Sequence, residues 1–179
     1  GILWFGNDDG NMVAYVPIYC SNTKRAECFN TSGADAVTFS DKNAYWVCNW
    51  VSNMVYPRYS QLFPALKEVR DSLDNAFLAA QKGVEAKAEA LYATDKAAAV
   101  KYLNDYSIQK SNEMITRWRQ LAIYLIVKFN DMTIKPEKDG KFLRTTTGLG
   151  ERVKRPGYSD YFKRELIKQS GDRLVLPNK

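Results

Sequence analysis

Residues 44–59 read Ala44-Tyr45-Trp46-Val47-Cys48-Asn49-Trp50-Val51-Ser52-Asn53-Met54-Val55-Tyr56-Pro57-Arg58-Tyr59, and the fold turns on how this stretch is taken. Aromatic and β-branched residues crowd it, which is the composition of a buried strand. The pattern breaks at Pro57, which cannot donate to a ladder. The sequence therefore predicts a strand over residues 44–56 that hands the chain to a helix. Upstream, residues 2–5 and 12–20 also have strand composition. Between them lies Gly6-Asn7-Asp8-Asp9-Gly10-Asn11, whose glycine and Asx residues offer turn chemistry. Residues 21–35 are polar and irregular, and 36–40 read as a short strand. On this reading residues 1–59 are β-rich.

From Ser60 the period changes. Leu66, Val69, Leu73, Phe77, Ala80, Val84, Ala88 and Leu91 step by three or four along an otherwise polar surface, which predicts one long helix with Pro64 in its first turn. Thr94 offers an N-cap with Asp95 in the first turn, and Ala97, Val100, Leu103 and Tyr106 line a short second helix. A third runs from Ser107 to about residue 130, with Met114, Trp118, Leu121, Leu125 and Phe129 inward. Short connections make these antiparallel neighbours. Residues 132–179 are rich in Pro, Gly and Lys, with a loop at 145–150, a helix of a turn or more within 158–169 and an extended piece at 173–176. The expected architecture is one α+β domain over 1–179: a β-rich segment (1–59), a helical layer (60–131) and a basic tail (132–179).

A chain of 179 residues, 45% hydrophobic and 26% charged, can bury one sizeable core. No run approaches the roughly 18 apolar residues of a membrane helix, since the longest, 121–127, ends at Lys128. No membrane partner is expected. The net charge of +6 lies in the tail: residues 1–131 hold 14 basic and 14 acidic groups, residues 132–179 hold 12 and 6. Tyr158, Tyr161 and Phe162 interleave with that basic excess, a combination that can clamp a phosphate backbone. The cations are spread out and interrupted by acids, so the tail reads as a solvated surface and no nucleic-acid partner is expected. The opening Gly1-Ile2-Leu3-Trp4-Phe5 has no initiator Met and no basic n-region, and reads as the interior of a longer protein.

The chain contains no histidine, which removes Ser-His-Asp and Cys-His catalysis and most zinc sites. The three cysteines show no CxxC spacing, and neither a metal nor a cofactor is expected. Gly148-Leu149-Gly150 lacks the third glycine of a dinucleotide fingerprint, Val153 standing in its place. Cys20 and Cys28 flank a polar loop that a disulfide could close, and a disulfide would make the protein an exported one rather than cytoplasmic. Cys48 has no base beside it and reads as core. Asn7-Asp8-Asp9 leaves three readings open: a general acid/base or anchor for a substrate amine, a turn with Asx side chains capping backbone N–H groups, or a calcium site with Asn11. Asn49 and Asn53, four apart and so on one face, can donate to a developing oxyanion or serve as hydrogen-bonded structural amides. Arg58 can hold a substrate carboxylate in a bidentate fork or pair with a nearby acid.

Several blocks agree in order with one known family. Gly6-Asn7-Asp8-Asp9, then 12–20, then Ala44-Tyr45-Trp46 with Asn49-Trp50-Val51-Ser52-Asn53 and Tyr56-Pro57-Arg58-Tyr59, and further on residues 121–131, resemble the C-terminal portion of bacterial cysteine dipeptidases, which are N-terminal-nucleophile hydrolases. The resemblance implies an αββα sandwich, of which this chain would supply later strands and a helical layer. It implies hydrolysis of dipeptides through an acyl-enzyme formed on an N-terminal cysteine whose own α-amine is the base. Position 1 here is Gly, so that nucleophile is expected outside this chain, in a missing N-terminal part of the same protein, and the fragment alone is expected to be inactive. Asn7, Asp8 and Asp9 fall in a matching block and are the first pocket candidates, followed by Asn49, Asn53 and Arg58. The competing reading is a non-enzymatic helical interaction module. An open strand edge would also let the chain form a homo-oligomer.

Overall fold

The chain opens with two short strands, β1 (Ile2–Phe5) and β2 (Val16–Tyr19), paired antiparallel in a register that sets Ile2 against Tyr19 and Phe5 against Val16. In this computed structural model, which describes residues 1–175, the pairing runs one residue further, where the Cys20 amide donates to the Gly1 carbonyl at 3.0 Å. β2 is the buried member: Val16, Pro17 and Tyr19 face the interior. The Phe5 ring meets Phe29 edge-on at 5.0 Å. These eight residues, four per strand, are all the strand that residues 1–59 contain.

The stretch expected as a strand over 44–56 is helix. Ala44–Val55 form α1, and its first turn is closed by Asn43, whose side-chain oxygen accepts the Tyr45 amide at 2.9 Å. Ala44, Val47, Cys48, Val51, Ser52 and Val55 are buried, and their three- and four-residue steps trace one helical face. The expected strand over 44–56 fails on periodicity. A strand would send Val47 and Val51 to one face and Cys48 and Ser52 to the other, whereas a helix buries all four on one stripe. The strand over 36–40 is absent too: Val37 is 93% exposed, and Phe39 instead meets Trp46 and Trp50, each at 5.8 Å. With both strands gone there is no β-rich first third and no αββα sandwich. The described residues hold two separate two-stranded ribbons and are otherwise dominated by long helices.

Pro57 sits in a single 3-10 turn, Tyr56–Arg58, where its missing N–H is not required by a ladder. α2 (Tyr59–Thr94) follows at once and is about 54 Å long at the usual rise per residue. It buries Leu62, Leu66, Leu73, Phe77, Val84 and Ala88, close to the stripe read from the sequence. Asp95 alone joins it to α3 (Lys96–Phe129). The Asp95 amide closes α2 on the Leu91 carbonyl at 2.7 Å, and the Asp95 carboxylate accepts the Ala98 amide at 3.0 Å, so the cap is Asp95 rather than Thr94. The two helices expected at 95–106 and 107–130 are one. Ser107 is buried inside it, and Ser111 donates to the Ser107 carbonyl at 2.7 Å, a bond a helix interior accommodates. α2 and α3 form an antiparallel hairpin, with Lys87 over the Tyr102 ring and Lys110 over the Phe77 ring. Trp118, Met114 and Phe77 are fully buried, as are Val47 and Val51 of α1.

The chain divides into two compact units, Gly1–Ile126 and Val127–Lys179. In the second, β3 (Glu137–Lys138) and β4 (Lys141–Phe142) make a hairpin, with Asp139 and Gly140 both at positive φ in the turn. α4 (Asp160–Ser170) starts on Ser159, whose hydroxyl accepts the Phe162 amide. The extended piece expected at 173–176 is a 3-10 turn over Gly171–Leu174, and Leu176 lies outside the described residues. No helix among the described residues is long and apolar enough to cross a membrane.

Candidate functional site

Three elements converge on the loop between β1 and β2. Asp8 adopts a left-handed backbone, φ 70°, which an Asx residue tolerates better than most. Its carboxylate turns onto α1. Oδ1 accepts the Asn49 amide at 3.0 Å, and Oδ2 accepts the Ser52 hydroxyl at 2.5 Å. Asn49 and Ser52 are three apart on a helix and therefore neighbours on its surface. Ser52 is only 1% exposed, while Asp8 remains exposed on its other side. The result is a carboxylate pinned from behind by two donors and open in front.

Asp9 does something different. Its Oδ1 accepts the Asn11 amide at 2.8 Å and its carbonyl accepts the Met12 amide at 2.9 Å, which is the Asx turn the sequence allowed. Its Oδ2 accepts the Tyr56 hydroxyl. That hydroxyl first, and the Asn11 amide second, hold the Asp9 carboxyl below the usual carboxylate range, and the same bond raises Tyr56. Asn11 carries the tether onward: its amide donates to the Tyr59 hydroxyl at 2.9 Å, and Arg70 donates to its carbonyl at 2.6 Å. The other end of the Arg70 guanidinium pairs with Asp71 at 2.9 Å. The loop is thus fixed to both α1 and α2.

The remaining candidates scatter. Asn7 makes no side-chain hydrogen bond among the described residues and is half-buried. Asn53 shares the Asn49 face, but its amide donates back to the Asn49 carbonyl at 2.8 Å, within its own helix. Arg58 is engaged with Gln61, Nε to Oε1 at 2.8 Å, in the turn ahead of α2. Cys20, Cys28 and Cys48 are three separate free thiols, so the loop closure by a Cys20–Cys28 disulfide is not present. Burial pushes the Cys28 thiol up to about 11, and it pushes the Cys48 thiol further, with the negative charge of Asp8 adding to the effect. Neither sulfur is a nucleophile at neutral pH. No group of His, Cys, Asp and Glu among the described residues is arranged to hold a metal ion.

Ser52, Tyr56, Tyr59 and Arg70 were missing from the sequence-based site. In a strand, Ser52 falls on the face opposite Asn49; only a helix puts both beside Asp8.

Residues 1–72 match the family model of peptidase family C69, which takes in β1, the Asp8 loop, β2, α1 and the first turns of α2. This agrees with the dipeptidase likeness read from the sequence over that stretch, and the segment is similar to that peptidase family. Residues 121–131 lie beyond it. No curated protein matches the chain.

Proposed function

We propose, on the premise that residues 1–72 are a segment of a C69 peptidase, that the chain is the C-terminal portion of a cysteine dipeptidase, and that Asp8 anchors the α-ammonium of the dipeptide. The observation that carries the anchoring role is the Asn49–Asp8–Ser52 constellation. A carboxylate oriented by two donors loses little freedom when a cation arrives, and its outward lone pairs are free to accept the ammonium protons. A second argument is negative. Neither buried thiol can attack, and there is no histidine to serve as base. The exposed thiol, Cys20, has no imidazole to activate it, and the nucleophile of this reading is the one the resemblance supplies: an N-terminal cysteine deprotonated by its own α-amine. In this division of labour residues 1–72 hold and orient the substrate while the upstream portion carries out acyl transfer.

The test uses the whole polypeptide, the upstream portion included, with an N-terminal cysteine exposed. Asp8→Asn should raise KM for dipeptides about tenfold or more with kcat little changed, since it removes an ion pair present in ground and transition state alike. Nα-acetyl dipeptides, which lack the cation, should not distinguish the variant from the parent. An unchanged KM overturns the anchoring role. Dipeptide hydrolysis by the 179-residue chain alone overturns the division of labour.

A further inference from the structure

A second concave site shares no residue with the Asp8 constellation. It is a cavity of about 190 Å³ lined by Trp4, Tyr15, Asp74 and Leu78. Trp4 comes from β1, Tyr15 from the segment entering β2, and Asp74 and Leu78 lie one turn apart on α2. Two aromatic side chains, one aliphatic and one carboxylate are the components of an organic-cation cage: rings present their negative faces, and an acid supplies the counter-charge. We propose that this cavity binds a small organic ammonium group.

The Tyr15 ring lies against Gly6 and Gly10. Its hydroxyl donates to the Gly10 carbonyl at 3.1 Å. A Cβ on Gly6 would stand 3.2 Å from the ring and one on Gly10 would stand 2.9 Å from the hydroxyl, so both glycines leave the space the ring occupies. Asp74 is fixed as well: its Oδ1 accepts the Tyr15 amide at 2.9 Å, which leaves Oδ2 for a ligand. Desolvation is the first cause raising the Asp74 pKa, and it outweighs the Tyr15 amide and the charge of Arg70, which act the other way. The nearest basic group, Arg70, is committed to Asn11 and Asp71. Tyr15 and Leu78 are 37% and 54% exposed, so the mouth is open to solvent. Preorganised apolar walls and a partly desolvated, oriented acid favour a cation that carries its own apolar skin, such as a methylated ammonium, over a hydrated metal ion.

The probe is tetramethylammonium, titrated into the 179-residue chain while the Trp4 indole N–H is followed by NMR, with 3,3-dimethylbutanol as a comparably shaped uncharged control. The cation should shift the Trp4 resonance saturably and bind about tenfold tighter than the alcohol. Asp74→Asn, which keeps an oxygen for the Tyr15 amide, should weaken the cation about tenfold without changing the affinity for the alcohol, and Trp4→Leu, followed on the Tyr15 ring protons because the indole is gone, should weaken the cation about tenfold as well. Choline and Nα-acetyl-lysine amide, run in parallel, separate a free quaternary ammonium from a peptide side chain as the source. Equal affinity for cation and alcohol on the unaltered protein overturns the proposal, whether or not the variants fold. A cation affinity unmoved by a folded Asp74→Asn does so too.

Discussion

Removing the Ser52 hydroxyl tests the Asp8 constellation most directly. Ser52→Ala deletes the 2.5 Å bond to Oδ2, together with the weaker 3.0 Å contact of the same hydroxyl with the Asn49 carbonyl, and leaves the Asn49 amide bond to Oδ1 in place. A hydrogen bond to a charged partner contributes about 1.5–3 kcal/mol when both ends are buried. Here Ser52 is buried but Asp8 faces water on one side, so the stranded oxygen rehydrates and the expected coupling falls to about 1 kcal/mol, roughly a fivefold change in the unfolding constant. The measurement is a double-mutant cycle of Ser52→Ala, Asp8→Ala and both together. Asp8→Ala also strains a left-handed backbone position, by about 1 kcal/mol, but that cost appears in both arms and cancels. Urea unfolding followed by tryptophan fluorescence reads the relevant unit alone, because all four tryptophans, at 4, 46, 50 and 118, fall within Gly1–Ile126. A coupling within about 0.3 kcal/mol of zero refutes the claim that α1 positions Asp8.

Tyr56→Phe should let the Asp9 carboxyl titrate closer to its ordinary value, because the hydroxyl is the largest cause of its depression. The sign follows from linkage. A carboxyl depressed in the folded state stabilises the fold above its unfolded pKa, and that stabilisation fades as pH falls through the lower folded value. Carbon-detected NMR of the side-chain carboxyl reads the midpoint, and an unmoved titration argues against the Tyr56 bond. Among the thiols, exposed Cys20 should react with dithiobisnitrobenzoate in the native protein at pH 8 while Cys28 and Cys48, both raised by burial, stay silent until the chain unfolds. A second thiol reacting as fast contradicts the burial of both.

The stripe of α2 is legible in the sequence because its signal is redundant, whereas the single helix α3 is expected as two. In α2 a three-four stripe persists over many turns, and few competing cues interrupt it. α1 carries an equal stripe, since 44, 47, 48, 51, 52 and 55 have the helical step, yet its composition points to a strand. Over twelve residues that period competes with a dense β-branched composition, and only burial of the stripe decides between them. Asn43, the capping residue, was the overlooked cue. The Asn49–Asn53 pairing survived the error because residues four apart share a face in either element. Ser52 did not survive it, since a three-residue step changes sides. Asp8 and Asp9 looked equivalent in the sequence, and only the helix beneath one and the turn around the other give them different tasks.

The lone aspartate between α2 and α3 has a bearing on how this region can vary. Two rods of more than thirty residues meet with no slack, so their registration is dictated at a single position. Every residue inserted into either rod swings what lies beyond it by about 100° and slides it about 1.5 Å. Trp118 and Met114 would then leave the interior together. Length changes in this hairpin are therefore tolerable only in whole turns or at its far ends, whereas side-chain changes on its outer faces are nearly unconstrained.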